Sequence, residues 1–343
     1  MKETSRKPEA HKFSPDIIDR VRRGFQTDNW HGLCETMRNW LVICLAAVFS
    51  LYTWRQAPWW IGTPVYLASI FFIGGRQRGL ADILHQASHR TLAKSHRLGV
   101  LIGTVCSGYP LLQSFTGYWE SHVHRHHHYL GDPDLDPDYI EYQRRGLCGS
   151  SMNRDRLRRY LIGLFTVRSM VAYGRYLLVN RIWSRSESPF ERCVRFPLLA
   201  AAVATCVYMG WGGVIVTYWF VPLFTTHAWI GAFIELLEHY PLIETAPFID
   251  IYLTRNRECG WFGNFLLGLQ TQEGYHLVHH RFPQVPRWRL REVHLILMED
   301  REYAALHTTR GWAALLRQLF FAVPPGANAS IMPSGLQAGC AGS

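Results

Sequence analysis

The sequence predicts an all-α integral membrane protein. Two transmembrane hairpins, about four spans, carry a cytoplasmic helical cap in which histidines cluster. Three observations predict it. Apolar residues are bunched into long runs although mean hydropathy is near neutral, at -0.06. Tryptophans and arginines gather at the ends of those runs. The 17 histidines of the 343-residue chain concentrate in a few short stretches outside them.

In chain order, residues 1–15 are polar and read as a disordered tail without the apolar core of a signal peptide. Residues 16–38 read as one basic amphipathic helix ending near Trp40. The runs at 40–54 and 59–75, separated by the polar break RQAP, form the first hairpin. Each run is somewhat shorter than the roughly 20 residues that cross a bilayer. The flanks compensate. Trp54, Trp59 and Trp60 gather at the turn as an interfacial belt, and Arg38, Arg76 and Arg78 can snorkel at the other end. A buried hairpin in a soluble core would lack those aromatic flanks.

Residues 98–115 are apolar, but Gly103, Gly108 and Pro110 suit a dip or an interfacial path better than a straight crossing. Residues 154–185 interleave arginines with Leu, Ile, Phe and Tyr, the pattern of a membrane-surface segment. Runs at 197–210 and 213–237 form the second hairpin. One domain therefore covers 16–322, and residues 323–343, rich in Gly, Ala and Ser, read as a second disordered tail.

Charge gives the orientation. Lys and Arg outnumber Asp and Glu by 36 to 26, a net +10. No nucleic-acid motif accompanies this excess, so anionic lipid and an acidic partner are the fitting surfaces. The hairpin turns hold one basic residue, Arg55. The N-terminal, middle and C-terminal segments hold nearly all the rest and face the cytoplasm by the positive-inside rule. Every histidine cluster then falls in one compartment. The eight cysteines show no CxxC spacing, so neither a zinc ribbon nor a disulfide framework is indicated.

The clusters are HQASH (His85, His89), SHVHRHHH (His122 to His128), His239 after the last span, and HLVHH (His276, His279, His280). Random scatter gives roughly 0.04 HxxHH triplets in such a chain, yet two are present. On an α-helix, residues three or four apart share a face. His85 and His89 can thus reach one metal. His276 and His280 can reach one, with His279 offset by about 100° toward a second. His122 and His126 repeat that arrangement with His127 offset, while His124 with His127 and His128 gives a competing HxxHH reading. Eight or nine imidazoles overfill the roughly four positions of a single zinc and suit two metals. Imidazole accepts zinc, copper, iron and nickel, so ligand type does not select the metal. Asp82, Glu120, Glu238 and Glu273 stand beside the clusters as acceptors for the far ring nitrogens. His11, His31, His96, His294 and His307 read as ordinary surface or hydrogen-bonded residues. His227, inside the last run, reads equally as buried polar or ligating.

HQASH, SHVHRHH and YHLVHHRFPQVPRWRL, with two hairpins around them, resemble the three histidine boxes of the integral-membrane fatty acid desaturase and hydroxylase superfamily over roughly positions 75–290. DPDLDPD after the second box is similar to the desaturase branch. The resemblance implies a non-haem di-iron centre (two Fe ions), O2 as oxidant, an aliphatic or acyl substrate, and electrons from a ferredoxin- or cytochrome b5-type donor. It implies His239 as the ligand completing the site. The broad group includes amino-acid desaturases of soil bacteria, so acyl lipid is one substrate class among several. Where many members carry asparagine before the third box, this chain has Gln272, Glu273 and Gly274. The expected reaction is desaturation. A hydroxylase of the same superfamily, and a membrane zinc hydrolase, are the competing classes.

Overall fold

The computed structural model describes residues 7–148, 154–269, 272–306 and 309–321. The expected tail at 323–343 and His307 lie outside them. Among the described residues there are helices and two isolated bridges, Glu9–Ile249 and Glu258–Arg310, but no strand.

Helix α1 (Pro15–Arg23) starts where the sequence says a helix should. The Ser14 hydroxyl accepts from the Ile17 amide, proline opens the first turn and arginines crowd the last. It ends at Gly24. Asp28 then accepts the amides of Trp30 and His31, 2.8 and 3.0 Å away, and starts α2 (His31–Gln56). The single helix expected over 16–38 is therefore two, because Asp28 offers the backbone a competing turn. Of the expected N-terminal tail, residues 1–6 lie outside the described residues, and the remainder is corrected. Residues 9–13 run along the body: the Glu9 amide donates to the Phe248 carbonyl, the His11 amide to Asp250, and Phe13 is buried. Ile17 and Val21 join Phe13 in an apolar cluster with Leu277, Val278 and Phe282.

Helices α2 and α3 (Trp59–Ser88) form the first hairpin. Leu41, Leu45, Val48, Phe49 and Tyr52 form a helical stripe that is exposed, while Glu35, Asn39 and Ser50 are buried. Apolar outside and polar inside suits lipid as solvent. Trp54, Trp59 and Trp60 are exposed at the turn. At 1.5 Å per residue, α3 is about 45 Å long, well beyond a hydrocarbon core of about 30 Å. Its last turns carry His85. Arg76 and Arg78 do not snorkel. Arg76 is buried and donates to the Phe265 carbonyl, and Arg78 pairs with buried Glu273 at 2.5 Å.

Helix α4 (His96–Gly103) continues as a π-helix, Thr104–Gly108, then turns at Leu112 with φ 63°. This segment packs against α3. The chain then runs through α5 (Phe115–Tyr118), a π-helix Trp119–His126, α6 (Pro137–Arg144), α7 (Arg154–Gly163) and α8 (Val167–Leu177). Helix α9 (Pro189–Tyr208) starts eight residues before the predicted run, capped by Ser188 and Pro189. After Gly210 the stretch Gly212–Thr245 comprises α10 (Gly212–Ile215), π-helices Val216–Phe220 and Leu223–His227, α11 (Ala228–His239) and α12 (Leu242–Thr245). His31–Gln56 and Gly212–Thr245 are long and apolar enough to cross a membrane.

The C-terminal part is α13 (Trp261–Leu266), α14 (His276–Arg281), α15 (Leu290–Leu297), α16 (Arg301–Leu306) and α17 (Gly311–Phe321). Gly268, at φ 74°, lies so close to α3 that an added Cβ would sit 1.7 Å from the Gly75 carbonyl oxygen. That crossing presses the C-terminal part onto the middle of α3.

Candidate metal centre

Four elements meet at one end of the helices. The end of α3 brings His85 and His89. The π-helix brings His122 and His126, with His127 as its cap. The end of α11 brings His239. Helix α14 brings His276, His279 and His280. Leu277 and Val278 on α14 are buried in the apolar cluster with α1, and the Leu277 amide donates to Asn256 Oδ1 at 3.1 Å. This anchoring turns the three histidines of α14 the other way, into the site.

The rings form two main groups, linked by a smaller one in which His122 and His126 lie with Asp138. Ligating nitrogens of His85, His89, His122, His127 and His279 lie within 4.8 Å of one another. Those of His126, His239 and His280 do the same. His276 joins the second group, its Nε2 3.2 Å from His239 Nε2. His85 with His89 follows the α-helical spacing. His276 and His280 stay together while His279 goes to the other group, as their offset predicts.

The second box departs from expectation. His127, not His126, joins the five-histidine group with His122, and His126 turns to His239 and His280. The cause is the π-helix. The His127 amide bonds the His122 carbonyl at 3.0 Å, five residues back, and their Nε2 atoms approach to 3.2 Å. The wider turn brings i+5 beside residue i, while i+4 also stays near: the His122 and His126 rings stack at 5.1 Å. His124 and His128 are excluded from both groups. His124 leans toward Glu120 at 3.7 Å, and His128 faces the Val123 carbonyl at 2.9 Å, both at the exposed side.

Carboxylates fix the rings. His85 Nδ1 lies 3.1 Å from Asp82, which is ion-paired with buried Arg287. His126 Nδ1 faces Asp136 at 2.9 Å and Asp138 at 3.1 Å. Glu238 lies 3.5 Å from His276 and pairs with Arg257. Of the acceptors read from sequence, Asp82 and Glu238 stand beside site histidines, Glu120 serves His124 and Glu273 serves Arg78. Asp136, Asp138, Arg257 and Arg287 were missed. The DPDLDPD stretch was the available signal for the first two, but it gave no partner. His227 is buried apart, its ring 6.0 Å from Tyr173. His11 pairs with Asp300, His31 stacks on Trp288, and His294 meets Tyr303.

Burial, reinforced by neighbouring imidazoles, holds His122, His127, His276, His279 and His280 well below the ordinary histidine range. They are neutral at pH 7, the state that ligates metal. Burial also lowers His126, but Asp136 and Asp138 outweigh it and raise that ring to about 9.

The donor set fits cations. His85, His279, His127 and His122 form a chain of Nε2 atoms at 2.9, 3.2 and 3.2 Å. Each ring nitrogen carries one N–H or one lone pair, so Nε2 of His279 and of His127, which each meet two neighbours, cannot make a full hydrogen bond to both. His89 Nε2, His127 Nδ1 and His280 Nε2 are buried without a hydrogen-bond partner. A positive ion in each group would satisfy them.

An all-helical chain with lipid-suited helices and two imidazole groups at one end defines a class, and sequence comparison names it. Residues 58–312 match the family described as Fatty acid desaturase, and the chain belongs to that family. It is an oxidoreductase. Among relatives, it is 32% identical over 310 residues to dihydrorhizobitoxine desaturase of Bradyrhizobium elkanii, covering 88% of this chain and 85% of that one. It is 22% identical to delta 8-(E)-sphingolipid desaturase of Komagataella phaffii, covering 84% of this chain and 56% of that one. It is 24% identical to a fatty acid desaturase of Bacillus subtilis, covering 67% and 64%.

Proposed function

We propose that this protein is an oxygen-dependent desaturase that introduces a carbon–carbon double bond into an aliphatic substrate. The observation that carries the reading is the convergence of nine imidazoles from four distant segments into two adjacent groups. His85, His89, His122, His127 and His279 would hold one iron, and His126, His239, His276 and His280 the other. Bound iron supplies the oxidising power that no acid–base side chain has for an unactivated C–H bond. The overall change is a CH–CH unit, O2, two electrons and two protons converted to C=C and two waters. The electrons come from a ferredoxin- or cytochrome b5-type donor.

The chain's own residues orient the rings and exclude water. Asp82, Asp136 and Asp138 hold protons on Nδ1 atoms, leaving Nε2 for metal. The fold is read as four spans, α2, α3, α9 and Gly212–Thr245, with the histidines on the cytoplasmic side. Likeness to dihydrorhizobitoxine desaturase over most of both chains makes an amino-acid derivative the first substrate to test, ahead of an acyl lipid.

The test is metal analysis and Mössbauer spectra of purified protein, followed by product analysis with a reductant and candidate substrates. About two irons per chain and an O2-dependent alkene are expected. One zinc with activity in the absence of O2 would replace this reading with a hydrolase. A hydroxylated product would replace it with a hydroxylase.

A further inference from the structure

Away from the histidines, the region around α6, α7 and α8 forms an open surface groove of about 650 Å³. Its lining includes Arg144, Arg145, Arg156, Arg159 and Arg168 against one carboxylate, Glu141. Glu141 lies 2.5 Å from Arg145 and 3.9 Å from Arg144, so it is shared within the groove. Five arginines and one carboxylate in the lining leave a net charge of +4 (5 − 1). Such a concentration of planar donor forks matches phosphate oxygens. The first turn of α8 opens on the same space through Thr166 and Ser169, adding the positive end of an 11-residue helix.

The surroundings say what carries the anion. Ile162 on α7, Phe165 in the connecting turn, and Val167 and Val171 on α8 are 59–72% exposed and neighbour the lining residues in the chain. A soluble anion would have no use for this strip. An amphiphile would: its head fits among the arginines and its tail lies on the apolar residues. The groove is open on one side, which suits a head group whose tail lies outside it.

We propose that this groove binds the head group of an anionic phospholipid of the surrounding bilayer. The proposal rests on the membrane reading above. The site touches the metal centre indirectly. Tyr160 packs in the apolar cluster that contains Leu157, Leu236, Leu237 and Tyr240, next to His239. Lipid bound here would brace the helix end that presents that histidine.

The test uses the full iron-loaded chain in nanodiscs of phosphatidylcholine containing a minority of phosphatidylglycerol. Lipid retained after transfer to mild detergent is counted by native mass spectrometry. One phosphatidylglycerol per chain is expected, with phosphatidylcholine absent. Arg159→Glu with Arg168→Glu, both at exposed positions, should lower retention by about tenfold or more. Arg22→Glu with Arg23→Glu, the same charge change on α1, should leave it unchanged. Iron content equal to wild type confirms that each variant is folded. Equal loss in both double variants would reduce the effect to bulk charge attraction and overturn the site. Retention of phosphatidylcholine would overturn it too. So would complete displacement by inorganic phosphate, which would make the ligand a free anion. Failure of the wild type to enter nanodiscs would instead remove the membrane reading itself.

Discussion

The pairs His85–His89 and His122–His127 point into the same group of rings, yet they arrive by different helical geometries. The first uses an α-helix and a spacing of four. The second uses a π-helix and a spacing of five. The difference teaches that a histidine motif does not specify which rings share a metal until the helix type is known. A π-turn sends adjacent His126 and His127 to different groups, so one short segment serves both.

The comparison can be broken most severely by deleting one ring from each pair. His89→Ala and His127→Ala should each lower desaturation by about 100-fold or more, with one iron lost or weakened per chain. His126→Ala should deplete the other iron. If His126→Ala and His127→Ala gave identical iron spectra, the two-group division would be wrong.

The carboxylates behind the rings sharpen the contrast at lower magnitude. Asp136→Asn removes the acceptor behind His126, and Asp82→Asn the one behind His85. Each should weaken iron binding by about 10–100-fold, measured by chelator competition. Arg287→Leu leaves Asp82 buried beside His85 without its guanidinium. A destabilisation of about 3–5 kcal/mol is expected in denaturant unfolding.

His126 should differ from the other rings of both groups in its response to pH when metal-free. Rings such as His122, His127 and His279 have folded values below their unfolded value. The unfolded chain therefore takes up protons first, and their contribution is lost as pH falls through about 6.5. His126 has the opposite sign. Its folded value is raised to about 9, so its contribution is full below about 6.5 and lost as pH rises through 9. Unfolding of the apoprotein across this range checks both limbs, and Asp136→Asn should flatten the alkaline one. The smallest effect is expected at the excluded rings. His124→Ala should leave iron content and activity within about twofold, as an exposed surface change does.

Much of this was legible from residue order. Apolar runs, tryptophans at the turn and the arginine distribution gave helices suited to a bilayer. Ser14 with Pro15, and Ser188 with Pro189, marked helix starts. The nine histidines of the two groups were all named from spacing and resemblance. The turn at Asp28 and the docking of residues 9–13 were not legible, because a polar segment looks alike whether solvated or tied to Phe248 and Asp250 from far along the chain.

The sequence by itself determined which residue types exist and how often they recur along each helix, since local periodicity needs only the neighbouring residues. It determined the abundance of imidazole and the class of chemistry that imidazole serves. Tertiary structure alone decided the partition of rings, the inward turn of Arg76 and Arg78, and the pairing of Asp82 with Arg287, 205 positions apart. Those depend on the π-helix and on distant segments converging, and neither is encoded in the spacing of any one stretch.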